Sequence, residues 1–134
     1  MMSERKIYDP SRPTQPRGEW VDFSDGRSIY VRGLTAAQYA SLKSRAARSP
    51  GDPRGGEDPA AAILIQIVLS CYDGEGADAR RIYSDLDLDK AGALSFDEFL
   101  LVMGAVNRVN GMDATVQELM RDFTTARAER LTSP

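Results

Sequence analysis

Apolar residues are spread along this chain in patches of different period, and the changes of period mark the elements. In EWVDFSDGRSIYVRG, two runs rich in β-branched and aromatic residues flank Asp25-Gly26. That residue pair suits a two-residue type I′ turn, so the stretch predicts a β-hairpin. Two strands alone are marginal in water, and the hairpin must lean on helices. In GLTAAQYASLKSRAAR the apolar face continues through Leu42 and Ala46 at helical spacing. Thr35 is placed to cap this helix with Gln38 reaching back in a capping box, and Leu34 and Tyr39 are placed as a hydrophobic staple. AAAILIQIVLSCY is apolar nearly all round, which predicts a helix buried on most sides. Asp58 is its expected cap, with Pro59 in the first turn, where a missing N–H costs nothing.

From Ser95 a third long helix, FDEFLLVMGAVNRV, should run to a stop at Asn110-Gly111. A last helix should begin near Asp113, with Val116, Leu119, Met120 and Phe123 at i, i+3, i+4 and i+7. SPGDPRGGEDP reads as a mobile loop, DGEGADARR as a second break, and IYSDLDLDKAG as a short helix or turn. Residues 1–18 carry three prolines without apolar period and read as a flexible extension. Residues 19–126 form one domain and 127–134 a fraying tail. The expected fold is mainly α (α+β): an N-terminal β-hairpin followed by a bundle of about four helices.

Composition narrows the chemistry. A chain of 134 residues suffices for one core. A formal net charge of −3 and a pI near 5.0 argue against a nucleic-acid partner. The acidity is local: residues 71–98 hold eight Asp/Glu against three Lys/Arg. Histidine is absent and Cys71 is the single cysteine, which excludes a Ser-His-Asp triad, a Cys-His pair and a His-ligated zinc site within one chain. Cys71 closes an apolar run and is expected to be a buried structural thiol. With no internal disulfide to form, a reducing cytoplasm is the natural home. MMSERKIYDPSRPTQPRGE lacks the apolar core of a signal peptide. The longest apolar run, 60–72, is interrupted by Gln66 and is too short to span a bilayer, so no membrane partner is expected.

One acidic stretch, DLDKAGALSFDEF, has two readings. Counted as an EF-hand loop, it puts Asp87 at position 1, Asp89 at 3, Gly92 at 6, the Ala93 carbonyl at 7, Ser95 at 9 and Glu98 at 12, while Ala91 at 5 has no side-chain oxygen. Counted as a helix start, Ser95 is an N-cap and Glu98 its capping-box partner, with Leu94 and Phe99 as the staple. No second loop accompanies the first, and only about ten residues remain for an entering helix, roughly 15 Å at the usual rise. No metal or cofactor is therefore expected; calcium held by Asp87, Asp89, Ala93, Ser95 and Glu98 is the alternative. Asp85, Asp87, Asp89, Asp97 and Glu98 could hold Mg²⁺ in an enzyme, but no phosphate-binding loop lies near them in sequence, and no catalytic residue is assigned.

Four segments, taken in order, carry a family resemblance: VDFSDGRSIYVRGLTAAQYASL, DPAAAILIQIVLSCYDGEG, RRIYSDLDLDKAGALSFDEF and AVNRVNGMDATVQEL. Together they resemble the tail assembly chaperones of long-tailed bacteriophages and prophages, over roughly 90 residues of a one-domain chain. The resemblance implies a non-catalytic protein that binds the tape measure protein, a very long helical chain, and keeps it soluble while tube subunits polymerise around it. It allows the tail tube protein as a second partner, and self-association. It also implies residence in the cytoplasm of a bacterial host and absence from the mature virion. An amphipathic helix docks in a groove on a helical partner. Here Leu101, Val102, Val106 and Val109, or Val116, Leu119 and Phe123, are the candidate partner-binding stripes; stripes of this kind are more often a domain's own core.

Overall fold

The computed structural model describes residues 4–111, and regular structure starts at Gly18. Strands β1 (Gly18–Asp22) and β2 (Ser28–Arg32) pair antiparallel with Trp20 opposite Tyr30. The turn between them departs from the expected type. The Phe23 N–H donates to the Arg27 carbonyl at 2.8 Å and the Gly26 N–H to the Phe23 carbonyl at 3.0 Å. A type I′ turn needs positive φ at both central residues, but Gly26 alone provides it, at 88°. The loop is therefore Ser24, Asp25 and Gly26, a type I turn closed by a glycine bulge. Asp25 takes a different part: its carboxylate accepts the Arg27 N–H at 3.1 Å.

The first two helices begin where their caps predict. Helix α1 (Ala36–Ala46) has both halves of its capping box, with the Gln38 N–H on the Thr35 hydroxyl at 3.1 Å and the Thr35 N–H on the Gln38 amide oxygen at 2.9 Å. Of the expected staple, Leu34 packs on the core, whereas Tyr39 is exposed with the Lys43 ammonium 5.4 Å from its ring centre. Helix α2 (Pro59–Ser70) starts on Asp58, whose carboxylate accepts the Ala60 and Ala61 N–H groups. Between these helices, the segment expected to be mobile carries its own bonds. Arg48 N–H reaches the Gly56 carbonyl and Asp58 N–H the Ala46 carbonyl, both at 2.8 Å. Arg54 pairs with Asp52 and holds its carboxyl down to about 2.

Helix α2 ends two residues earlier than the apolar run suggested. Cys71–Tyr72 is a strand, β3, paired antiparallel with β2 through Tyr30–Tyr72 and Val31–Cys71. An apolar run has no period of its own, so it cannot mark where a buried helix becomes a buried strand. Arg81 secures the change by donating to the Val68 carbonyl at 2.8 Å, near the helix end. With the sheet order β1-β2-β3, the architecture is mixed α+β, the expected hairpin and helices joined by a third strand.

Helix α3 (Leu88–Gly92) is short, and α4 (Phe96–Val109) opens on the Ser95–Glu98 capping box. It stops as predicted, with Gly111 at φ 72°. Asn110 does more than end the helix: its amide oxygen accepts the Leu34 N–H at 2.8 Å, tying the exit of the hairpin to α4. The helix expected from Asp113, with Val116, Leu119 and Phe123, lies outside the described residues.

Helix α4 packs across β1 and β2, and α2 lies against α1, α3 and α4. One cluster joins the inner sheet face (Val21, Ile29, Val31, Cys71) to α2 and α4; a smaller one joins α1 to α2 through Leu42, Ala46, Ile65 and Leu69. This placement corrects the first partner-binding stripe. Val102 and Val106 are fully buried and Val109 is 7% exposed, because they are the face of α4 that covers the sheet. Leu101 alone of that group stays exposed. No helix among the described residues is long and apolar enough to cross a membrane.

Candidate functional site: a groove beside the hairpin turn

Distant segments meet around a groove of about 360 Å³. The hairpin supplies Phe23, Arg27 and Ile29, the stretch after β3 supplies Ile82 and Tyr83, α3 and its exit supply Lys90, Ala93 and Leu94, and α4 supplies Glu98. Each is positioned by a local rule. The glycine bulge at Gly26 turns the chain so that Phe23 and Arg27 face each other across the loop. The Ile82 N–H bonds the Cys71 carbonyl at 3.0 Å, laying that stretch along β3. The Ala93 and Leu94 N–H groups bond carbonyls of α3 at its last turn.

The groove has an apolar floor and a charged rim. Ile29 and Tyr83 are buried, Phe23 and Leu94 are half-buried, and Ile82 is 40% exposed. Burial pushes the Tyr83 phenol above its ordinary value, so it stays neutral. Arg27 bridges the hairpin turn and α4, with Asp25 at 2.5 Å and Glu98 at 3.1 Å. Lys90 lies 3.5 Å from Asp87. Chemically, this arrangement can accept an apolar side chain between charged edges.

The residues of the EF-hand alternative are spread over two helix starts. Asp87 immediately precedes α3, and its carboxylate accepts the Ser84 N–H at 2.9 Å. That bond, with help from Lys90, holds the Asp87 carboxyl below its ordinary value. Asp89 is exposed in the first turn of α3, and Ala93 follows the helix in αR conformation. Ser95 and Glu98 cap α4, the Ser95 N–H donating to Glu98 at 3.2 Å. Among the described residues no three His, Cys, Asp or Glu side chains are grouped as a metal site. Cys71 is fully buried, which pushes its thiol up to about 12.

A second feature covers the outer face of the sheet. Trp20 and Tyr30 are cross-strand neighbours with ring centres 5.2 Å apart, and Tyr72 stands opposite Tyr30 on β3. The Arg32 guanidinium lies 4.2 Å over the Tyr72 ring. The Trp20 indole N–H donates to the Glu75 carboxylate.

Sequence reasoning missed the groove. Phe23 continues the alternation of Val21 and reads only as part of the hairpin, whereas Ile82 sits in a polar, turn-rich segment, where a large apolar residue that belongs to no period was the signal available. No protein-family model matches the sequence, and comparison with curated proteins and with solved structures returned no match.

Proposed function

We propose that this chain acts by binding, as a tail assembly chaperone that holds a helical tape measure protein soluble during tail assembly. The observation that carries the reading is the groove: an apolar floor of Phe23, Ile29, Tyr83 and Leu94 edged by Arg27 and Lys90, with Ile82 exposed at its side. A long helix with an unburied apolar stripe is an aggregation hazard, and a groove of this chemistry can shield part of such a stripe. The sequence resemblance supplies the partner class. On this reading the protein works in the host cytoplasm, without a cofactor, and leaves before the virion matures.

The test is co-expression with a tape measure protein from the same phage or prophage. The wild-type chain should keep that protein soluble and co-purify with it. Ile82→Asp places a charge at the groove without touching the core and should abolish both effects. Solubility that is the same with and without the chain overturns the reading.

A further inference from the structure

Helix α4 is covered from two sides by elements already described. Val102, Val106 and Val109 meet the sheet, and α2 packs beside them. At about 3.6 residues per turn, Phe96, Leu100, Gly104 and Asn107 make the face of α4 opposite those valines. At one end this face is apolar: the Phe96 and Phe99 rings stack with centres 6.1 Å apart, Phe96 is 58% exposed and Leu100 is half-buried. At its middle Gly104 carries no side chain, which lets a neighbouring backbone come close. At the other end Asn107 is 2% exposed, and its Nδ2 has no hydrogen-bond partner among the described residues. A buried amide of this kind calls for an acceptor from elsewhere.

The end of α4 says where that neighbour comes from. The Gly111 N–H bonds the Arg108 carbonyl at 3.1 Å, and Gly111 turns the chain out of the helix at φ 72°. Only Met112 then precedes Asp113, the expected start of the next helix. So short a connection makes two successive helices antiparallel neighbours. The sheet and α2 hold the other sides of α4, so the face of Phe96, Leu100, Gly104 and Asn107 is the one such a neighbour meets.

We propose that residues 113–126 fold back on this face as an antiparallel helix, with Val116 opposite Asn107, Leu119 and Met120 over Gly104, and Phe123 against Leu100 and the Phe96 ring. The lengths agree: seven residues separate Leu100 from Asn107 and seven separate Val116 from Phe123, a rise of about 10 Å in each helix. The charges agree as well, because one turn beyond Phe123 the pairing brings Arg127 beside Asp97, exposed in the first turn of α4. The stripe of Val116, Leu119 and Phe123 then belongs to the domain and not to a partner. This contact lies on α4, away from the groove, and does not depend on what the groove binds.

The test is oxidative cross-linking of the full chain carrying Leu100→Cys with Phe123→Cys. The control pairs Leu100→Cys with Asp122→Cys, one residue off the stripe. Cys71 is fully buried and stays out of the exchange. We expect a disulfide within one chain, formed about tenfold faster in the first pair than in the control. Phe123→Asp, made in the otherwise natural sequence, should lower the urea midpoint and speed amide exchange in α4, whereas Asp122→Asn should leave both unchanged. Circular dichroism of each variant checks that the fold is intact. Equal cross-linking rates in the two pairs, a disulfide formed only between chains, or a Phe123→Asp chain as stable as wild type overturns the proposal.

Discussion

The Tyr30 ring lies directly over Gly18, so closely that a Cβ at Gly18 would stand 2.2 Å from the phenol oxygen and 2.3 Å from the ring carbon that bears it. Glycine is required here by what covers it, not by its backbone angles. Gly18→Ala should push Tyr30 aside and loosen its pairing with Trp20, costing about 1 kcal/mol in urea unfolding. In a Tyr30→Ser background the same alanine should cost almost nothing. An undiminished cost in that background would show that the ring is not the obstacle.

Val106 and Leu101 should separate core from surface. Val106 is fully buried between α4 and the sheet, and Val106→Ala should cost roughly 2 kcal/mol through lost burial and the cavity left behind. Leu101→Ala, on the exposed side of the same helix, should stay within about 0.5 kcal/mol of wild type. Equal losses at the two positions in chemical denaturation would contradict this packing.

Cys71 should be inert in the folded chain. Its thiol, raised to about 12 by burial, remains protonated at pH 8, whereas the unfolded thiol titrates near 9.0. Because the folded value is the higher one, this group's contribution is complete below the unfolded value and is lost as pH rises through the folded one. Thiol-reactive dye should therefore label native protein slowly at pH 8 and urea-unfolded protein at once. The Cys71→Ala variant should show a flatter loss of stability above pH 9 than wild type. Fast native labelling would overturn the burial.

At the acidic stretch, the folded Asp87 carboxyl is depressed, first by the Ser84 N–H. Its contribution is present above the unfolded value and disappears as pH falls through the lower folded one. Asp87→Asn should flatten the acid limb of stability below pH 3.8, the ordinary Asp value. Calcium titrated calorimetrically to millimolar should give no saturable heat, since Asp87 and Glu98 are engaged at the starts of different helices. Micromolar binding lost in Glu98→Gln would instead mean that the stretch rearranges into a cation loop.

What the sequence made legible is what short-range chemistry decides. Thr35 with Gln38, Asp58 before Pro59, Ser95 with Glu98, and Gly111 each satisfy or end a helix terminus within a few residues. The turn type escaped because Asp25-Gly26 suits more than one hairpin loop, and the bonds between Phe23 and Arg27 make the choice. Strand β3 escaped because Cys71 and Tyr72 become strand only by meeting Val31 and Tyr30. The stripe on α4 was visible as a stripe, but which partner covers it is a matter of topology. The sheet covers it, and the groove lies elsewhere, where Phe23, Ile82 and Leu94 arrive from separate parts of the chain.

The third strand also sets an order of assembly. Tyr30 and Tyr72 are about 40 residues apart, so their pairing must wait for a loop closure that the local hairpin does not need. The hairpin and α1 can organise early, while β3 can join only when α2 is in place, because α2 runs into it without a connecting residue. Substitutions at Gly26 should then slow refolding, whereas those at Cys71 should chiefly hasten unfolding. By the same measure, the junction of Ser70 and Cys71, where a helix becomes a strand in one step, should close after the local hairpin.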